Sequence, residues 1–275
     1  TKFEFDGEKL NNPENQSISL YIGGLAGNVG GTFTISGNGT STSNSNAKPL
    51  YICPTINVKN IDSTTDSNSE IINRVTNFYL GTACGSAGKI KASNGLIVFG
   101  LQDPTSSTDN SGYKFEKLEI SSIASSVNAI GGVAGQVASS SGDSDGYLSY
   151  YGDIVFSAGI LQSYVYIGGV FGNVEIQNAS SEIQSNISNA IFEGTVSFDE
   201  GTDSNNKNTA FKDSIDKITY ENGKVKTDSP QFTQLSVGGI IGHIGKGITD
   251  GVTISNSIAS GELSLPSKSV SSSLN

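Results

Sequence analysis

One short glycine pattern recurs along the chain. Gly23-Gly24-Leu25-Ala26-Gly27 follows Tyr21-Ile22, and Gly131-Gly132-Val133-Ala134-Gly135 follows Ala129-Ile130. Gly168-Gly169-Val170-Phe171-Gly172 follows Tyr166-Ile167, and Gly238-Gly239-Ile240-Ile241-Gly242 follows Ser236-Val237. Tyr79-Leu80-Gly81-Thr82-Ala83-Cys84-Gly85 is a degenerate fifth copy, with Thr82 in place of the second glycine. The copies begin at positions 23, 81, 131, 168 and 238, so the steps are 58, 50, 37 and 70 residues. Repetition on this scale marks a stacked architecture, in which no unit buries its own apolar face alone. The shortest step approximates the bare unit; the longer ones carry insertions.

A second pattern follows the first. Val252-Thr253-Ile254-Ser255-Asn256-Ser257-Ile258-Ala259-Ser260-Gly261-Glu262-Leu263-Ser264-Leu265 aligns without a gap to the segment from Ile187 through Phe198. Val252, Ile254 and Ile258 share one face of a period-2 strand, whereas Leu263 and Leu265 have the opposite parity. A one-residue slip moves every side chain to the other face of a strand, so the chain turns a corner near Gly194 and Gly261. Glycine supplies the positive φ such a corner can require. Short strands joined by recurrent corners predict an all-β fold, a parallel β-solenoid resembling a β-helix, as one domain over residues 1–275. Coils of ~20–25 residues stacked at ~4.8 Å would give roughly a dozen turns and about 50–60 Å of length. Asn189 and Asn256 fit either an inward asparagine ladder or ordinary turns.

Composition agrees with this reading. Glycine numbers 34 of 275 residues, charged residues make only 15%, and Met and Trp are absent. Such a chain suits short strands and tight corners better than helices. The net charge of −10 disfavours nucleic-acid partners. No apolar run approaches the ~18 residues of a membrane span. A chain opening on Thr1 in the strand-like Lys2-Phe3-Glu4-Phe5 reads as a mature form or fragment of something larger.

The glycine pattern paired with Ile-Ser-Asn-Ser-x-Ala-x-Gly resembles the GLUG motif of bacterial surface proteins. The segment from Gly238 to Leu265 matches best and that from Gly168 to Phe198 next. The resemblance implies a secreted or cell-surface protein with a solenoid region, often an adhesin or a surface-anchored enzyme. It carries no catalytic residue to transfer; its structural positions are Gly23, Gly24, Gly27, Gly131, Gly132, Gly135, Gly168, Gly169, Gly172, Gly238, Gly239 and Gly242.

Polar stretches interrupt the repeats. Residues 199–232 form an insertion in which Asn222-Gly223, between Ile218-Thr219-Tyr220-Glu221 and Lys224-Val225-Lys226, predicts a protruding hairpin. The stretches 40–46, 62–69, 105–112 and 139–146 read as loops. Catalytic and cofactor signals are sparse. His243 is the sole histidine, so a multi-histidine metal centre is excluded, and a structural role is expected. A phosphate-binding loop would need glycine at Ile240 and Ser or Thr at Gly247. Asp143 and Asp145 are weak calcium candidates, and Asp153, Asp199, Glu200 and Asp203 are less specific still. Cys84 occupies a core position of the repeat; Cys53 and Cys84 can either pair or remain thiols.

The expected function is a non-enzymatic extracellular or cell-surface protein, an adhesin or stalk module displaying binding loops. Its partners would be a host or neighbouring-cell surface protein or glycan, or other copies of itself. Two alternatives stand beside it: a polysaccharide-processing β-helix enzyme using paired carboxylates, and a structural subunit of an extracellular polymer.

Overall fold

The computed structural model describes residues 2–6, 17–37, 49–59, 61, 64–65, 71–72, 75–102, 115–121, 123–124, 126–142, 146–157, 163–175, 185–198, 220–221, 224–225, 234–245, 248 and 251–264. Among them no helix forms, and the principal strands pair in parallel into four stacked sheets. The fold is a parallel β-solenoid, and each coil visits four faces in the same order.

The first face stacks Ser19–Gly23, Asn77–Gly81, Val127–Gly131, Tyr164–Gly168 and Gln234–Gly238. The second stacks Ala26–Ser36, Cys84–Ser93, Ala134–Gly142, Phe171–Val174 and Ile241–Ile244. Beside it, in the fourth and fifth coils, Ser185–Ser188 pairs with Val252–Ser255. The third face stacks Leu50–Ile52, Leu96–Phe99, Tyr147–Tyr150, Ala190–Phe192 and Ile258–Ala259. The fourth has six strands, Lys2–Asp6, Thr55–Lys59, Lys117–Ile120, Asp153–Phe156, Thr195–Phe198 and Glu262–Ser264. Five coils are thus described, not a dozen. One coil runs from glycine motif to glycine motif, so the expected 20–25-residue coil covered only part of a turn. At the ~4.8 Å strand spacing five rungs span roughly 20–25 Å.

The glycine motif is the corner between the first and second faces, and its first glycines are register partners from Gly23 to Gly238. None of these glycines has positive φ, nor do Gly194 and Gly261. Their role is close approach. The third glycine lets the second face pass against the backbone of the first: a Cβ on Gly172 would lie 2.4 Å from Ile130 N, and one on Gly135 2.5 Å from Leu80 N.

At the corner into the third face left-handed backbone falls on asparagines, Asn94 (φ 56°), Asn189 (φ 58°) and Asn256 (φ 49°), with Gly95 (φ 101°) beside the first; elsewhere Gly100 and Gly251, outside the repeated motif, share it. Asn189 is buried, and its Nδ2 donates to Gly146 O in the preceding coil at 2.8 Å. Asn94 Nδ2 likewise donates to Ser36 Oγ of the coil before it at 2.8 Å. Turn and cross-coil bond are therefore properties of the same residue. The corner also corrects the expected long strand: Val252–Ser255 and Ile258–Ala259 are separate strands with Asn256 between them. Ile254 pairs with the core residue Ile187, whereas Ile258 pairs with Ile191, which alternates with the core residues Ala190 and Phe192. Asn189→Ala is expected to cost about 1.5–3 kcal/mol, from the lost hydrogen bond and the strained φ. Asn189→Gly should cost less, because glycine accepts that φ freely. Denaturant titration of both variants checks this; equal losses would remove the backbone part of the argument.

The core is aliphatic and aromatic on all four faces. Leu80, Phe171, Leu148, Phe192, Ile154 and Val196 are all at most 1% exposed. Asn128 replaces an apolar residue between Phe78 and Val165 on an inward ladder. It is fully buried and satisfied by the backbone, accepting from Ala124 N at 2.7 Å and donating to Ala124 O at 3.0 Å. Cys53 and Cys84 form no disulfide, and Cys84 sits in the core ladder with Ala26 and Ala134. Burial pushes its thiol up to about 12, so it stays protonated.

Within the insertion Tyr220–Glu221 pairs antiparallel with Lys224–Val225, Tyr220 opposite Val225 and Glu221 opposite Lys224, while Asn222 and Gly223 lie outside the described residues. Two expected loops contain paired strand. Ser139, Ser140, Ser141 and Gly142 continue the second face opposite residues Lys89 to Ala92. Thr64–Thr65 pairs antiparallel with Ile71–Ile72. Residues 40–46 and 105–112 lie outside the described residues.

Candidate functional site

The chemically capable side chains gather where the second face passes the first. Two residues before each motif's first glycine stand Tyr21, Tyr79, Ala129, Tyr166 and Ser236, in register from coil to coil. Directly after each third glycine stand Asn28, Ser86, Gln136, Asn173 and His243, also in register. The two columns complement each other in size. The tyrosine rungs carry Asn28, Ser86 and Asn173, and the Ala129 and Ser236 rungs carry Gln136 and His243. In the fifth coil small Ser236 leaves room for His243 to lie flat on Tyr166, centroids 3.9 Å apart and planes 7° apart. At the other end Tyr21 and Tyr79 stack at 4.8 Å and 9°. Gln136 is 3% exposed, and its Oε1 has no hydrogen-bond partner among the described residues.

A polar relay fixes the histidine. Asn173 Nδ2 donates to Glu175 Oε2 at 2.9 Å, so Asn173 Oδ1 faces His243 Nδ1 at 3.0 Å. An amide oxygen only accepts, so the His243 proton resides on Nδ1 and Nε2 keeps its lone pair. Burial lowers the His243 pKa below 6.5, and the Glu175 carboxylate opposes that shift. Burial, then Tyr21 and Glu175, push the Tyr79 phenol up to about 12. Burial, then Tyr164 and Glu175, raise Tyr166 in the same direction. At neutral pH the flank therefore carries protonated phenols and a neutral imidazole beside a carboxylate. That set can donate and accept hydrogen bonds and accept one proton at Nε2.

Because the chain has a single histidine, its titration is directly assignable. The midpoint in the folded protein is expected below 6.5, measured by NMR of the imidazole, and lower again in Glu175→Gln. The sign follows from linkage: a depressed folded pKa gives stability that is present above the unfolded value and lost as pH falls through the folded one. A midpoint at or above 6.5 would show that burial does not govern the ring.

The expected calcium candidates Asp143 and Asp145 lie outside the described residues, as do Asp199, Glu200 and Asp203. Asp153 begins a fourth-face strand, opposite Lys117 and Thr195. Among the described residues no three His, Cys, Asp or Glu side chains gather closely enough to hold a metal ion, and no helix is long and apolar enough to cross a membrane. The motif glycines build the corner, and the third of them packs against the backbone of the tyrosine column: a Cβ on Gly85 would lie 2.8 Å from Tyr79 O and one on Gly27 3.1 Å from Tyr21 O. The tyrosine and amide columns went unread in the sequence, although their fixed offsets from the glycines were visible there.

No protein-family model, no curated protein and no solved structure matches the chain.

Proposed function

We propose that the chain is a non-enzymatic extracellular surface module, a stiff β-solenoid that holds its insertions and tyrosine-lined flank toward a protein or glycan on a host or neighbouring cell. One observation carries this reading: the rungs keep register whatever leaves between them. Gly168 pairs with Gly238 across the 70-residue step as Gly131 does with Gly168 across 37. Insertions exit at several corners, before Leu50, before Lys117 and before Gln234, without shifting the stack. A scaffold indifferent to its insertions suits display. The resemblance to GLUG surface repeats supports the same placement at the cell surface.

Glycan and surface-protein arrays probed with the full chain, run beside polysaccharide turnover assays, test the proposal. Saturable binding without turnover is expected. Turnover abolished by His243→Ala would overturn it in favour of a polysaccharide-processing enzyme. The one observation favouring that second reading is the neutral imidazole held by Asn173 and Glu175.

A further inference from the structure

The first face turns an uncharged surface outward. Beside the column of Tyr21, Tyr79, Ala129, Tyr166 and Ser236 runs a second outward column, Ser19, Asn77, Val127, Tyr164 and Gln234, in register from coil to coil. Neither column holds an Asp, Glu, Lys or Arg. The fourth face differs, for Lys59, Lys117, Glu119 and Asp153 alternate there with the core residues Val58, Leu118 and Ile154. The column beside the glycine motif is closed, since Tyr79, Ala129 and Tyr166 are at most 8% exposed. The outer column is open: Tyr164 is 38% exposed, and Asn77, Val127 and Gln234 are partly exposed.

The open column is held in place. Tyr164 N donates to Ser126 O at 2.7 Å, and the Tyr164 carbonyl accepts from the buried Asn128 Nδ2 at 3.3 Å. The Tyr164 ring rests against Tyr166, with centroids 6.3 Å apart and planes at 46°. Val127 is its apolar neighbour one rung back, and an amide stands at either end of the pair. Asn77 Nδ2 donates to Ser19 Oγ at 3.1 Å, and Gln234 Nε2 donates to Ser236 Oγ at 3.0 Å. Tying the nitrogen fixes each amide and leaves its carbonyl oxygen as an acceptor. A platform already ordered in this way loses little freedom on binding. Three rungs separate Asn77 from Gln234, about 14 Å at the ~4.8 Å strand spacing, the length of roughly three pyranose rings laid end to end.

We propose that this column binds a neutral glycan laid along the solenoid axis. The Tyr164 ring and Val127 take the C–H face of one pyranose, because the electron-rich face of an aromatic ring attracts such weakly positive hydrogens. The Asn77 and Gln234 carbonyls accept from hydroxyls of the sugars on either side. Charge selects the ligand. A uronate or a sulfated sugar would find no cation on this face and would be repelled by a chain of net charge −10. A protein partner fits less well, because the open column is one side chain wide and falls short of the area that a specific protein interface buries. The inference rests on the display reading above and adds to it a ligand class and a place.

Titration calorimetry of the full chain with neutral gluco-, xylo-, manno- and galacto-oligosaccharides of graded length, and with oligogalacturonate as the acidic comparison, tests it. At least one neutral series is expected to bind, with affinity rising to roughly three sugars and then levelling off. Tyr164→Ala should weaken binding roughly tenfold, and Tyr164→Phe by less than about threefold, because the ring and not the hydroxyl makes the stack. Asn77→Ala and Gln234→Ala should each weaken it roughly threefold. Glu119→Gln, on the fourth face, should leave it unchanged. Melting curves check the fold of each variant, and Tyr164→Leu, which keeps apolar bulk without the ring, replaces Tyr164→Ala if that variant unfolds. No binding by any neutral series, equal affinity for oligogalacturonate, or full binding by the Tyr164 variant would overturn the inference and leave the display reading standing. Released product, abolished by His243→Ala, would overturn the display reading and this inference with it; the two failures are told apart because only the second forms product.

Discussion

Gly168→Ala is expected to destabilise the protein by about 3–5 kcal/mol, whereas Gly30→Ala should be neutral or slightly stabilising. A Cβ on Gly168 would stand 1.8 Å from Phe171 O and 2.6 Å from Phe171 C, so it meets backbone, not a side chain that could swing away. Phe171 cannot retreat, since it is fully buried and held in register between Ala134 and Ile241. Gly30 has nothing within 4 Å of the same added atom, and neither glycine has positive φ. The pair therefore isolates steric room at the corner from backbone freedom. For a chain of this size each kcal/mol moves the melting temperature by ~2–4 °C. Gly168→Ala should then melt roughly 6–20 °C below the parent in a calorimetric scan. Equal melting temperatures for the two variants would mean that the corner relaxes and the repeated glycine is not required there.

What the sequence revealed and what it concealed divide along a physical line. The repeat unit was legible because glycine at the corner answers a contact made within each coil, so the same residues return in every copy. The expected coil of ~20–25 residues was too short, because each coil here visits four faces and runs from one glycine motif to the next. The corner expected at Gly194 and Gly261 is there: it leads into the fourth face, and a Cβ on Gly261 would lie 2.4 Å from Gly194 O. The parity break was assigned to those glycines, yet the strand already ends at Asn256, whose left-handed φ turns the chain. Asparagine tolerates that region and also bonds to the adjacent coil, so a turn residue and a ladder residue look alike in a sequence. The flank escaped notice for another reason. Tyr166 and His243 lie 77 positions apart and meet only because the second face folds across the first. Their offsets from the glycines were regular, but nothing local says that the two columns face each other.

The second glycine of the motif yields the remaining prediction, because its reason lies on another face. A Cβ on Gly169 would stand 2.3 Å from the ring of Phe192, and one on Gly132 2.3 Å from the ring of Tyr150. Phe192 and Tyr150 are register partners on the third face, each 1% exposed. Tyr150 keeps its hydroxyl satisfied by donating to Asp153 O at 3.2 Å. The aromatic ring thus fills the space that the missing side chain leaves at the opposite corner. Phe192→Ala should cost about 3–5 kcal/mol, the usual price of truncating a buried phenylalanine. Gly169→Ala meets two obstacles, the Phe192 ring and the Gly239 carbonyl oxygen at 2.2 Å, so it too should be strongly destabilising. The combination is the informative case. Truncating Phe192 removes one obstacle to the new methyl, and the methyl occupies part of the cavity that truncation opens. The double variant should therefore lose at least ~1 kcal/mol less than the two single losses added together. Chemical denaturation of the four proteins supplies the cycle. Strict additivity would place the whole clash at the Gly239 carbonyl and leave the glycine–aromatic pairing without energetic weight.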